Sequence, residues 1–174
     1  MNKQDILKIK DSLSALLGKP ICNLTRGKGT YHVGIAELDF GDFGIIHVMC
    51  SMRFVHNSEI IFTNKDIFHP NTVIESTLLS DDGGFDWDNF DYDPCGNSFY
   101  DEMSKKFFSS DVEGNIVKDI YVSKFADIIF TFENGNTLEI INDGSGYSEC
   151  WRFSTLHSPE ETLVVTSNGI VEID

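Results

Sequence analysis

The stretch Asp127-Ile128-Ile129-Phe130-Thr131-Phe132-Glu133-Asn134-Gly135-Asn136-Thr137-Leu138-Glu139-Ile140-Ile141 decides the fold. Apolar residues alternate with polar ones on both sides of an Asn-Gly step, the pattern of two antiparallel strands about a turn. Its register follows from the side chains, because a slip of one residue turns a whole strand to the other face. A two-residue loop would set Phe130 opposite Glu139 and put the two apolar stripes on opposite faces. A three-residue loop, Glu133-Asn134-Gly135, pairs Phe130 with Leu138 and Ile128 with Ile140, leaving Ile129 opposite Glu139 and Thr131 opposite Thr137. It also places Gly135 in the left-handed position after the turn, where a residue without Cβ is favoured.

The same reasoning extends outward. Near the C-terminus a Ser167-Asn168-Gly169 loop would pair Val165 with Val171 and Leu163 with Ile173. Residues 147–154 alternate, with Tyr147, Trp151 and Phe153 on one face and Cys150 and Arg152 on the other, and residues 116–123 precede the set. Upstream, residues 21–24, 31–40, 44–55 and 59–63 also read as strands. In the third of these Ile46, Val48, Cys50, Met52 and Phe54 share a face, while His47, Ser51 and Arg53 lie on the other.

Two helices complete the set. Residues 2–17 carry Ile6, Ile9, Leu13, Leu16 and Leu17 on one helical face, and Gly18 and Pro20 end the helix. Ser98, with Asp101 three residues on, forms a variant capping box for a helix over 98–109 whose stripe is Phe99, Met103 and Phe107. The expected fold class is α+β: an antiparallel, strongly twisted, meander-like sheet of about seven to nine strands with these two helices. A single domain over residues 1–174 matches the length.

The chain has 13 basic and 28 acidic residues, a formal charge of −15. Phosphate backbones and anionic membrane surfaces are repelled by such a charge, so neither nucleic acid nor membrane is an expected partner. No run approaches the roughly 20 apolar residues of a membrane span and no signal segment is evident, so a cytoplasmic location is expected. Cys22, Cys50, Cys95 and Cys150 are scattered without a CxxC pair, the pattern of reduced thiols.

The acidity is concentrated. Residues 66–104 hold ten acidic residues and no Lys or Arg, two thirds of the net charge. At the centre lies Asp81-Asp82-Gly83-Gly84-Phe85-Asp86-Trp87-Asp88-Asn89-Phe90-Asp91-Tyr92-Asp93, which interleaves aromatics with carboxylates. One reading makes Asp81, Asp82, Asp86, Trp87, Asp88, Asp91, Tyr92 and Asp93 a binding surface for a basic protein, since Trp and Tyr dominate contact energies and carboxylates speed encounter with a cationic surface. The other makes the run structural, a half-buried edge strand or a loop clasping the sheet. A calcium site would draw on the same oxygens, but the ligand order of an EF-hand loop is absent and the glycines precede the carboxylates.

Catalytic signatures are thin, and no cofactor, metal or catalytic residue is assigned. His32, His47, His56, His69 and His157 fall at no compact metal spacing. Gly144-Ser145-Gly146-Tyr147-Ser148 departs from the GxSxG nucleophile elbow. Cys50 and His47 lie on opposite faces of one strand. The turn Arg26-Gly27-Lys28-Gly29-Thr30 lacks P-loop spacing and reads as a hairpin loop. An alternative to protein binding is a small-molecule or metal site between the sheet and the N-terminal helix, lined by His47, Arg53, Arg26 and Lys28. A structural assembly subunit is a third.

Several short motifs, Leu17-Gly18-Lys19-Pro20-Ile21, Phe40-Gly41, Glu133-Asn134-Gly135-Asn136, Glu149-Cys150-Trp151-Arg152-Phe153 and Gly169-Ile170, resemble uncharacterised small bacterial α+β proteins. Some of these are similar to immunity proteins of contact-dependent or polymorphic toxin systems. The resemblance implies a non-catalytic cytosolic inhibitor that binds one cognate toxin, often a basic nuclease. It transfers no site residue, because immunity surfaces differ between members.

Overall fold

The computed structural model describes residues 1–27, 35–109, 113–155 and 162–172. In chain order its helices and strands are α1 (Lys3–Ser14), β1 (Asn23–Arg26), β2 (Ala36–Asp39), β3 (Ile45–Val48), β4 (Ser51–His56), β5 (Glu59–Thr63), α2 (Thr72–Thr77), α3 (Phe99–Phe108), β6 (Val117–Val122), β7 (Ile128–Phe132), β8 (Thr137–Ile141), β9 (Glu149–Ser154), β10 (Leu163–Thr166) and β11 (Gly169–Glu172). The fold is α+β. The strands form two antiparallel sheets, ordered β1-β2-β3-β9-β10-β11 and β5-β4-β8-β7-β6, where one sheet is expected from the sequence.

The division falls inside the run 44–55. At Met49 and Cys50 both backbone N–H groups donate to the carbonyl of Cys150, at 2.9 and 3.0 Å, and the chain then leaves β3 in the first sheet to become β4 in the second. Ile46, Val48, Cys50, Met52 and Phe54 all stay buried through the crossing, so the alternation is unbroken although the hydrogen-bonding partners change. Inward residues of both sheets belong to one apolar core, joined by α1 through Ile9 and Leu13 and by α3 through Tyr100 and Phe108. Phe40, at the end of β2, meets Phe130 of β7 at 5.8 Å. The Trp151 indole N–H donates to the carbonyl of Ala126 at 3.1 Å, holding a residue whose φ of 63° is unusual outside glycine.

The β7–β8 hairpin has the expected register, with Phe130 opposite Leu138, Ile128 opposite Ile140 and Gly135 at φ 85°. The C-terminal hairpin does not. Val165 faces Ile170 and Leu163 faces Glu172, so the loop is Ser167-Asn168 alone, closed by the Thr166 hydroxyl donating to the Gly169 carbonyl. All four residues of β10 are buried, so neither face is selected for the core and the alternation that set the expected register has no force there. Ile173 lies outside the described residues.

In β9 Trp151 and Phe153 face the core as expected, but Cys150 is buried beside them, and Tyr147 stands outside the strand at 86% exposure. A register shift opposite Val165 and Thr166 makes Cys150 the extra residue of a bulge, which turns it inward.

The two expected helices, α1 and α3, start as their sequences indicate. The Asn2 and Asp5 side chains form a reciprocal capping box on α1, and Ser98 and Asp101 form another on α3. The buried stripe of α3 is rotated from the expected one to Tyr100, Met103, Ser104 and Phe108, with Phe99 and Phe107 half-buried at its flank. The helix packs against β1 as well as β5, and the Tyr100 hydroxyl donates to the Thr25 carbonyl at 2.9 Å.

Candidate binding surface

Residues 66–104 contribute no strand to either sheet. The segment 81–93 is not an edge strand. Its ladder contact is a lone bridge between Leu79 and Phe85, followed by a short 3-10 turn at Trp87–Asn89. Alternating Asp and aromatic residues suggest a strand. The carboxylates are instead spent on the local backbone and its neighbours, which favours turns. Asp82 accepts from the Ser80 hydroxyl and the Gly84 N–H, and these bonds lower its pKa. Asp86 accepts from the Asn89 amide at 2.7 Å, and Asp91 from the Asp93 N–H at 3.0 Å.

The far end of the run is clamped by Arg26, which is 2% exposed. Its Nε donates to Asp101 Oδ1 at 3.0 Å and its Nη2 to Asp101 Oδ2 at 3.1 Å. The same Nη2 donates to the carbonyls of Tyr92 at 2.5 Å and Pro94 at 2.9 Å. Burial pushes the Asp101 carboxyl up, but the Arg26 and Ser98 hydrogen bonds and the Gly96 N–H outweigh it and hold the pKa below its usual value. One buried guanidinium thus ties β1, α3 and the acidic segment together.

Aromatic rings carry the segment across its neighbours. Centroids run from Phe68 to Tyr92 at 5.3 Å, Tyr92 to Phe90 at 6.4 Å, Phe90 to Phe85 at 5.8 Å, Phe85 to Trp87 at 4.8 Å and Trp87 to His69 at 6.0 Å. Phe85 and Phe90 are half-buried within this ridge. Trp87 is 56% and Tyr92 37% exposed, so the two sequence-predicted anchors both present ring surface to solvent. Asp81, Asp82, Asp88, Asp91 and Asp93 are exposed and Asp86 is half-buried. Among the described residues none of these six pairs with a lysine or arginine. The chain's three arginines are committed to its own carboxylates: Arg26 to Asp101, Arg53 to Glu139 and Arg152 to Glu149.

The expected lining of the alternative pocket is not brought together. His47 meets Glu37 at 3.8 Å on the first sheet, and Arg53 pairs with Glu139 at 2.6 Å on the second. Arg26 is enclosed by its partners, and Lys28 lies outside the described residues, as do His32 and His157. A cleft does run between α1 and β11, but Gln4, Lys8, Asp11 and Ile170 line it instead. A second, of about 640 Å³, opens between β1 and α3 beside Thr25, Glu37, Cys95 and Lys105. The buried Ser104 hydroxyl borders it, beside the Tyr100 phenol. The Cys50 thiol is a poor nucleophile, because burial and then the nearby Cys150 push its pKa well above the usual thiol range.

Sequence reasoning missed the neighbours of the run: Phe68 and His69, which extend the ring ridge, and Arg26, which anchors it. Arg26 is one of only three arginines in so acidic a chain, a signal for pairing with a carboxylate that could have pointed to the clamp. Among the described residues no three His, Cys, Asp or Glu side chains gather as metal ligands. No helix among them is long and apolar enough to cross a membrane. Compared with known proteins, the chain matches no family model, no curated protein and no solved structure at a significant level.

Proposed function

We propose that this chain is a non-catalytic acidic binding protein whose residues 81–93 contact a basic protein. Its most concrete form is a cytoplasmic immunity protein that covers the cationic cleft of a nuclease-type toxin. The observation that carries this reading is the open face of Trp87 and Tyr92 among carboxylates that no cation of the described chain neutralises. Apolar ring surface supplies contact energy after desolvation, and the uncompensated charge accelerates encounter and excludes anionic partners. The immunity role adds the motif resemblance to this physical argument.

The test is association with an immobilised basic nuclease domain or with a partner captured from the source cells. The on-rate should fall about tenfold from low to physiological salt, because exposed charges are screened beyond the Debye length. Asp86→Lys with Asp88→Lys should weaken the affinity by about a hundredfold, through lost attraction and new like-charge contact. Binding that ignores both salt and the double reversal removes residues 81–93 from the contact.

A small-ligand reading has one observation in its favour, the cleft of about 640 Å³ between β1 and α3. A ligand seated there raises the melting temperature with occupancy. A screen of metals and nucleotides that leaves the melting temperature unchanged removes that reading for those classes.

A further inference from the structure

The ring ridge ends in a recess. Trp87, His69, Pro70 and Phe99 form its apolar and aromatic walls, and Asp66 and Glu75 stand in its lining, around about 300 Å³. The recess is built by elements that precede and follow the acidic run. Thr63 caps the 3-10 turn Asn64–Phe68, placing Asp66, and Asn71 caps α2, placing Glu75 one turn in. The bridge between Pro70 and Ser98 brings the start of α3, and with it Phe99, to the same place. The Trp87 ring stands edge-on to His69 at 81° and is more than half exposed, so it is not consumed by internal stacking.

The two carboxylates differ in their freedom. Asp66 Oδ2 accepts from the Thr63 N–H at 2.7 Å and the Thr63 hydroxyl at 3.2 Å, so its position is fixed by the cap. Glu75 is exposed and makes no ion pair or side-chain hydrogen bond among the described residues. An aromatic wall with anionic groups at its side matches a planar cation. A guanidinium can lie against an indole face, donate to a carboxylate through its edge and leave its methylene stem on apolar surface.

We propose that this recess receives a single arginine side chain of the basic partner, the specific anchor of a contact that residues 81–93 otherwise steer. The inference rests on the binding role proposed above and names the feature of the partner that the recess would select. Arginine is preferred over lysine because a compact ammonium lacks both the stacking plane and the paired donors.

The two tryptophans make the test direct. Trp151 is fully buried and Trp87 exposed, so a change of emission on binding reports the recess. The probes are an arginine-rich decapeptide, a lysine-rich decapeptide of equal charge and free arginine amide, each titrated into the full chain. The arginine peptide should perturb Trp87 emission saturably and bind about fivefold more tightly than the lysine peptide, and the amide should compete with it. Glu75→Gln, which removes a charge but no internal bond, should reduce the arginine peptide's affinity about tenfold and narrow the gap to lysine. Trp87→Leu should abolish the difference between the peptides, and circular dichroism checks that each variant is folded. If both peptides bind equally, leave the emission unchanged and respond only to Asp86→Lys with Asp88→Lys, the recess is not an anchor while the acidic surface stands. If neither peptide binds at any salt concentration, both proposals fall.

Discussion

Replacing Arg26 with methionine is expected to lower the unfolding free energy by about 3–5 kcal/mol, the cost of removing one partner from a buried ion pair. The size follows from what the guanidinium leaves behind. Asp101, whose side chain is 13% exposed, loses its charged partner, and the carbonyls of Tyr92 and Pro94 lose their donor. Urea denaturation measures the loss. A change below about 1 kcal/mol, the range of an exposed pair, would show that the clamp is not enclosed in solution.

The pH dependence gives the same prediction a second readout. Asp101 has a folded pKa below its ordinary value of 3.8. At acid pH the unfolded chain therefore binds more protons at this site than the folded chain. Its contribution is complete above the unfolded pKa and is lost as pH falls through the lowered folded one. In Arg26→Met the burial that raises the pKa stays while its main opponent goes, so this part of the acid loss should shrink or reverse. Measurements of stability from neutral pH to below the ordinary carboxylate pKa, on both chains, expose the difference. An identical acid limb would show that the ion pair does not govern Asp101.

Phe54→Ala should cost about 3–5 kcal/mol for a different reason, a cavity at the densest ring cluster of the core. Phe54 is fully buried at the centre of β4, with ring centroids of Phe107, Phe108 and Phe62 at 4.9, 5.0 and 5.5 Å. The cavity opens between the second sheet and α3, so no single neighbour can close it. Phe54→Leu keeps most of the apolar volume and should recover more than half of the loss. Equal denaturation midpoints for the two variants would mean that the site relaxes around whatever it holds.

How much of this could be read beforehand depended on whether local alternation carried long-range information. In β7 and β8 one face is core and the other is not, so the pairing of Phe130 with Leu138 was legible. In β10 both faces are buried, so alternation selects no register, and the hydroxyl of Thr166 closes a shorter loop than apolar pairing suggests. The split into two sheets was hidden because Ile46 to Phe54 keep one alternation while the bonding partners change at Met49 and Cys50. The acidic segment was located by composition alone, and its open aromatic face was a foreseen alternative. The recess was not foreseen, because Asp66, Glu75 and Phe99 meet Trp87 through caps and a bridge that no periodicity encodes. Nor was the Arg26 clamp, whose ends lie 75 residues apart.

The crossing at Met49 and Cys50 also bears on how the molecule comes apart. With β3 and β4 nearly continuous, each sheet is covalently continuous with the other through a strand that is not at its edge, and neither can be peeled away without dragging an inner strand of its neighbour. Slow amide exchange should then report a single shared opening free energy across β3, β4, β8 and β9, as for one cooperative unit, with only the outlying strands fraying earlier.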